Sequence, residues 1–577
     1  MHLKSLYPDP PPNPPLLNTC LALINRPDQA EWPEFVVHIE HHTGKSFTFT
    51  QLCKRINDLA TALSLPSSEG GLGLEHGSKE RVGIMSDNSS DYLTIAVACL
   101  KIAVPFVLIS CYSTPFEMRH ALTLSGTTRV FVAPQYYSRL LPVAAEVGMP
   151  KDKLYLMNED SLGQVSVESL IRMVNEKQIP EEDIRIVPKD TLAYLVFSSG
   201  TSGLPKAVMV SHGNVIYSLR QMIVLNEERL KLGTPSPPLT DDGIPVSLAS
   251  LPMHHSAGFH AYCFRNFLGP MRLIIIPRWD IETYMEIIPK YKVTGLGLVP
   301  SMVQQLLKHP KINQVDFSSV GSLTCGAAYL PREFLTKLVS LPPKGVVFSE
   351  GYGLSECTIA ALFQPLPGIL EGRAKENISA SGILHPGMEA RIVREDGSEA
   401  DWDEVGELWL RGENIVLGYL NNPKANGETF EDGWLKTGDK FRVDREQYFY
   451  YADRAKDTLK VSGTQVSPME IEQVLMAHPK KLIGDVTVAG VSGGRTSDEK
   501  VPRAWIVLSE AGKALGTSEA VKQLEAWHQS NLSRYKWLRG GIEVVNEIPK
   551  SLTGKTLRRV LQDQYEKNVL QAQKSKL

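Results

Sequence analysis

Phe197-Ser198-Ser199-Gly200-Thr201-Ser202-Gly203-Leu204-Pro205-Lys206 gathers hydroxyl side chains, two glycines and one lysine into a short segment. The preceding residues, Leu192-Ala193-Tyr194-Leu195-Val196-Phe197, form an unbroken apolar run of strand length, which predicts a loop launched from the edge of a buried strand. Gly200 and Gly203 let the backbone turn and bring N–H groups close to an anion. Ser198, Ser199, Thr201 and Ser202 add donors, and Lys206 adds a point charge. This is the chemistry of a cradle for nucleotide phosphates, although a Ser/Gly/Thr cluster taken alone also describes a solvated turn. A Walker loop is excluded, because that motif places Gly-Lys-Ser/Thr at the head of a helix. Here Lys206 follows Pro205 and leads into Ala207-Val208-Met209-Val210, which reads as another strand.

Outward from the loop, apolar runs such as Val82-Gly83-Ile84-Met85, Val130-Phe131-Val132 and Leu273-Ile274-Ile275-Ile276 alternate with helical patterns such as Ser301 to Leu307. That alternation predicts α/β layers around mainly parallel sheets. Ile95 to Ile109 contains Lys101 and Pro105 and is too short to span a bilayer, so it reads as a buried helix followed by a strand. The Pro-rich residues 8–15 form neither helix nor central strand and read as an extended arm. Leu232 to Gly243 reads as a mobile surface insertion. Past Asp453 the chain starts afresh with a small α+β pattern that ends in a charged helix. The expected organisation is a large N-terminal domain over residues 1–453 and a small mobile C-terminal domain over residues 454–577.

At 577 residues, with 42% hydrophobic and 22% charged content, the chain has ample material for more than one core. The formal net charge of −3 and the lack of a basic stripe interleaved with aromatics argue against nucleic acid as a partner. The seven cysteines are scattered with no Cys-x-x-Cys pair, which suits buried thiols in a reducing compartment. The amino terminus lacks the basic-then-apolar pattern of a secretory signal, and no transmembrane segment is expected. The chain ends in Ser575-Lys576-Leu577. A terminal tripeptide of this kind is the address read by the peroxisomal import receptor, so a peroxisomal enzyme is expected.

Further motifs follow the loop in order: Leu251-Pro252-Met253-His254-His255, Cys325-Gly326-Ala327-Ala328, Gly351-Tyr352-Gly353-Leu354-Ser355-Glu356 and Gly406-Glu407-Leu408-Trp409-Leu410-Arg411-Gly412. Beyond these come Gly418-Tyr419-Leu420, Trp434 to Asp439, Asp453-Arg454 and Pro549 to Lys555. Together, from about Phe47 to Arg559, they resemble the adenylate-forming superfamily of acyl-CoA synthetases, 4-coumarate-CoA ligases, luciferases and peptide-synthetase adenylation domains. The resemblance implies an ATP-dependent carboxylic acid–CoA ligase on a layered α/β domain with a mobile lid. Its substrates would be ATP, coenzyme A and an aryl or medium-chain acid, with Mg2+ as the metal.

By the same resemblance, Thr201 and Glu356 serve the magnesium-bearing phosphates, and Glu356 offers a hard oxygen. Tyr352 matches the ring stacked on adenine, with Gly326, Ala327, Gly353 and Ser355 on neighbouring stretches of the nucleotide site. Asp439 matches the ribose carboxylate and Arg454 its basic companion. His255 matches the histidine at the mouth of the acid pocket. A zinc pair at His254-His255 is disfavoured, since adjacent residues of an extended segment point to different faces. Lys555 matches the lysine that bridges carboxylate and α-phosphate in the first half reaction. Lys460, Gly463 and Gln465 match the loop lining the thiol's route after a hinge rotation about Lys456-Asp457.

Several positions depart from the pattern: Ala207, Glu350, Ser462, Tyr329 and Ala257 replace the residues common in relatives. None removes a catalytic group. Tyr329 and Ala257 bear on the acid pocket, which Ser256, Gly326, Ala327, Gly351 and Val299 to Met302 are also expected to line. Two other activities stay open at this point: a carrier-loading adenylation enzyme and a luciferase-like adenylate oxidase.

Overall fold

The structure is a computed structural model that describes residues 1–577 except 159, 199–203, 234–237, 327–331, 344, 376, 378–379, 395, 455–458, 462–463, 467, 494–499, 550–557 and 575–577. Two compact units are distinguished. The first comprises Met1–Cys111, Ala121–Phe197 and Ala207–Asp453. The second comprises Arg454–Leu577 together with Tyr112–His120 and Ser198–Lys206.

In the first unit the apolar runs pair as sheets because buried backbone must find partners. Leu192–Ser198 lies between Lys206–Ser211 and Phe106–Leu108, and the sheet continues through Val82–Met85, Arg129–Val132 and Leu154–Leu156. Its pairing is parallel from Leu192–Ser198 to Leu154–Leu156. The helix Ser90–Lys101 is buried along its whole length, with Ser89 accepting from the Tyr92 N–H at its start. Such all-round burial requires the apolar sequence Tyr92 to Leu100. A carboxylate at Ala98 would be stranded there, at a cost of roughly several kcal/mol.

A second sheet runs in the order Ile383–Leu384, Leu362–Phe363, Val347–Tyr352, Ser322–Gly326, Gly295–Leu298, Val246–Ala249, Arg272–Ile275, Val36–Glu40 and Ser46–Thr48. Its centre is parallel and its ends are closed by antiparallel strands. A third, antiparallel sheet joins His2–Lys4, Glu389–Val393, Gly406–Arg411, Trp434–Val443 and Phe430–Glu431, with Phe449–Arg454 also paired to Trp434–Val443. Residues 8–15 have no helix and no run of strand before Leu16, as the prolines dictate. They are held by the Arg220 guanidinium, which donates to the carbonyls of Pro11 and Pro12.

The second unit contains an antiparallel pair, Ile483–Ser492 with Lys500–Leu508, extended in parallel by Ile542–Val544. The helices Pro468–Met476 and Thr517–Asn531 contribute Ile471, Val474, Ala520 and Leu524 to its core. Within this unit Lys536 is buried between two carboxylates, its Nζ 2.6 Å from Glu117 and 2.8 Å from Glu470. Burial works to raise the Glu117 carboxyl, but the adjacent Lys536 outweighs it and holds Glu117 below the usual carboxylate range. All seven cysteines are free thiols. Among the described residues, no helix is long and apolar enough to cross a membrane.

Candidate functional site

The loop after Val347–Tyr352 is fixed by its own backbone. Tyr352 O accepts from the Ala361 N–H at 3.0 Å, and Leu354 O accepts from Ile359 N–H at 3.2 Å. Between them Ser355–Cys357 forms a 3-10 turn, and Thr358 and Ile359 take φ of 51° and 95°. An isoleucine in that region is strained, so the surrounding contacts must enforce it. Two of them are the Thr358 hydroxyl donating to Asn414 O at 2.6 Å and the Asn414 amide donating to Cys357 O at 2.9 Å. Gly353 is required here, because a Cβ at that position would lie 1.4 Å from the Ile359 carbonyl oxygen.

Glu356 is thereby presented as a buried carboxylate whose Oε1 accepts from the Tyr419 hydroxyl at 2.8 Å. Burial first, and Glu356 second, push the Tyr419 phenol far above its ordinary pKa. Tyr419 sits on a segment laced to the strand Lys206–Ser211: Met209 N–H donates to Gly418 O at 2.9 Å and Leu420 N–H to Ala207 O at 2.8 Å. The strand that leaves the glycine-serine loop is thus bonded to the segment that holds Glu356. Tyr419 was not singled out as a site residue by its sequence, although the Gly418-Tyr419-Leu420 motif marked its position.

On the same loop Tyr352 donates to Asp439 Oδ2 at 2.8 Å and meets Phe441 edge-on at 4.8 Å. Asp439 is 4% exposed and follows a sharp turn in which Gly438 has φ 71°. Gly438 N–H donates to Glu407 at 2.9 Å and Asp439 N–H to the Thr437 hydroxyl at 3.1 Å. Tyr352 and Asp439, expected at the adenine and the ribose, therefore come together. Burial, reinforced by Asp439, raises the Tyr352 phenol well above its ordinary pKa.

The remaining candidates collect beyond the carboxyl ends of parallel strands, where α/β sheets open their ligand crevices. Gly326 ends Ser322–Gly326 opposite Gly351, and a Cβ on Gly326 would lie 3.3 Å from the Gly351 carbonyl oxygen. Val299 caps the helix Pro300–Lys308. His255 caps Ser256–Phe259, and Ser256 Oγ lies 2.8 Å from Ser355 Oγ, bringing the histidine segment against the Glu356 loop. The two histidine rings do not point to opposite faces as expected. Their centroids are 4.6 Å apart, because Met253 and His254 lie in a turn closed by the His255 N–H donating to Pro252 O at 3.1 Å instead of in an extended segment. Among the described residues no group of three or more His, Cys, Asp or Glu is placed to hold a metal ion.

Ser198 and Lys206 terminate their strands, whereas Ser199, Gly200, Thr201, Ser202 and Gly203 lie outside the described residues. So do Ala327, Lys456, Asp457, Gly463, Lys555 and the terminal Ser575-Lys576-Leu577. In the second unit Lys460 and Gln465 face one another in a two-stranded pairing. Their side chains, and that of Arg454, are outside the described set.

A family model described as AMP-binding enzyme matches residues 26–420, and one described as AMP-binding enzyme C-terminal domain matches residues 470–555. A probable 4-coumarate–CoA ligase 1 of Dictyostelium discoideum is 30% identical over 547 residues, covering 92% of both chains. Acyl-CoA synthetase 7 of Caenorhabditis elegans is 33% identical over 409 residues, covering 70% of both. The fold is similar to that of o-succinylbenzoate CoA synthetase from Bacillus subtilis, with a TM-score of 0.74 at 22% identity over 95% of this chain and 98% of that one.

Proposed function

Because the chain belongs to the AMP-binding enzyme family and is an ATP-dependent acid–CoA ligase working through an acyl adenylate, we propose that the Tyr352–Ala361 loop is its nucleotide site and that its acid is aryl or medium-chain. The observation supporting this is that one rigid loop carries both Glu356, fixed by Tyr419, and Tyr352, fixed by Asp439.

The acid's carboxylate attacks the α-phosphorus of ATP, forming an acyl–phosphate anhydride and releasing pyrophosphate. The thiolate of coenzyme A then attacks the acyl carbonyl and AMP leaves. Two anions meet in the first step, so the site must supply oriented donors and cations where charge accumulates. Ser198 to Lys206 would receive the β- and γ-phosphates, with Lys555 bridging carboxylate and α-phosphate. Asp439 and Arg454 would take the ribose, and His255 would stand at the mouth of the acid pocket. Lys460, Gly463 and Gln465 would line the thiol's route.

A magnesium ion would supply charge neutralisation at the phosphates. Glu356, a single buried hard carboxylate, would hold it, with Thr201 as the second ligand that the resemblance implies, which suits an ion that keeps its waters and phosphate oxygens. Pyrophosphate release measured across a panel of aryl and C6–C12 acids, with and without coenzyme A, tests the reading. The expected result is CoA-dependent thioester formation from at least one of these classes, and CoA-independent turnover with every acid would overturn it.

The terminal Ser575-Lys576-Leu577 supports a peroxisomal location through the import receptor. Deleting the tripeptide is expected to move an amino-terminally tagged protein from puncta to cytosol. Identical punctate images would defeat that assignment.

A further inference from the structure

The helical run from Ser256 to Phe267 starts beside Ser355 and carries Arg265 at the head of its last turn. That is roughly 13 Å along the axis from Ser256, the length of an arene with a short chain. Arg265 is half-buried as a residue, yet its Nε is shut off from solvent and has no hydrogen-bond partner. Its guanidinium makes no ion pair or hydrogen bond with any described residue. Among the described residues no carboxylate acts on it: Cys357 is the one titratable group that offsets its burial, and that thiol is itself pushed up to about 12 by burial.

His385 shares this environment and feels the charge of Arg265. It is 1% exposed, and neither ring nitrogen has a partner. Its ring meets Phe363 edge-on at 5.9 Å, and Phe363 pairs across the sheet with Gly351, one of the residues expected to line the acid pocket. His260, the third polar group near Arg265, is already engaged with the Tyr194 hydroxyl at 2.5 Å.

Native proteins rarely leave a guanidinium whose Nε is shut off from solvent without a counter-charge, or a buried imidazole with both nitrogens orphaned, unless a ligand completes them. We propose that Arg265 and His385 close the far end of the acid pocket and bind a second carboxylate, so that the enzyme's acid is a dicarboxylic acid activated at its other end. A guanidinium matches a carboxylate with two parallel N–H donors, and the neutral imidazole has one further N–H to give. This inference rests on the acid–CoA ligase reading above.

The test compares length-matched pairs, hexanoic with hexanedioic acid and cinnamic with 4-carboxycinnamic acid, for kcat/KM in pyrophosphate release by the full-length enzyme and by R265M and R265K. Direct binding of each acid to the same proteins, without ATP, is measured by calorimetry. Wild type is expected to favour the diacid in at least one pair. R265M should lower the diacid-to-monoacid ratio by roughly tenfold to a hundredfold, the scale of one charge-assisted hydrogen-bonded contact, and R265K should lie between. An unchanged ratio in folded R265M, or a wild type that favours the monoacid in both pairs, overturns the proposal. Should no acid support pyrophosphate release, the ligase reading falls. The calorimetric ratio then decides the subsite separately: loss of diacid binding in R265M supports it, and equal binding by both proteins overturns it.

Discussion

The Tyr352 hydroxyl and Asp439 Oδ2, 2.8 Å apart, join the end of the central parallel sheet to a turn of the antiparallel sheet. Two elements 87 positions apart in the chain are thereby held in one register, which in the proposed nucleotide site would fix the adenine contact relative to the ribose contact. Tyr352→Phe removes a bond to a charged acceptor, worth about 1.5–3 kcal/mol. The expected outcome is a rise of roughly tenfold in KM for ATP, with a smaller change in kcat. An unaltered KM at saturating acid would separate this pair from the nucleotide.

Glu356→Gln keeps an oxygen for Tyr419 to bond but removes the negative charge. The Mg2+ concentration giving half-maximal adenylation should rise about tenfold or more. Tyr419→Phe keeps the charge and loses its anchor, so its main effect should fall on kcat. If both variants show the wild-type magnesium dependence, Glu356 is not the ligand.

Lys555→Ala should suppress pyrophosphate release by about 100-fold or more, as loss of a transition-state cation does, and should spare thioester formation from supplied acyl adenylate. Equal loss in both half reactions, with the fold intact, would contradict a role confined to the first.

In the second unit, Lys536→Met would remove the cation buried between the Glu117 and Glu470 carboxylates. Such a break costs about 3–5 kcal/mol. Hydrogen exchange across Pro468–Met476 in the full-length protein should accelerate accordingly, and adding Glu470→Gln should restore part of the protection. Unchanged exchange would mean that the charge cluster is relaxed or hydrated.

Periodicity located much of the first unit. The apolar runs at Val82, Val130, Leu192 and Leu273 are strands, and the pattern at Ser301 lies in the helix Pro300–Lys308. Ile95 to Ile109 divides into the buried helix Ser90–Lys101 and the strand Phe106–Leu108, as its Lys101 and Pro105 predict. His2–Lys4 escaped notice because a strand of three residues is too short to display a period, and its partner Glu389–Val393 is remote in sequence. Tyr419 with Glu356, and Lys536 with Glu117, were equally invisible, since a polar pair 63 or 419 positions apart leaves no local pattern. The histidine pair misled for a related reason: the extended backbone assumed for His254-His255 is broken by the turn that the His255 N–H closes with Pro252 O.

The near-contact between Gly353 and the Ile359 carbonyl also has a meaning at the level of the gene. A single-base change at either of the first two positions of a glycine codon installs a larger residue or a stop. No missense allele arising there by one base leaves the turn undisturbed, even when it is as mild as alanine. Codon 353 is therefore expected to be almost silent-only in a saturation mutagenesis library selected for activity, whereas codon 427, whose glycine has nothing within 4 Å of an added Cβ, should accumulate variants.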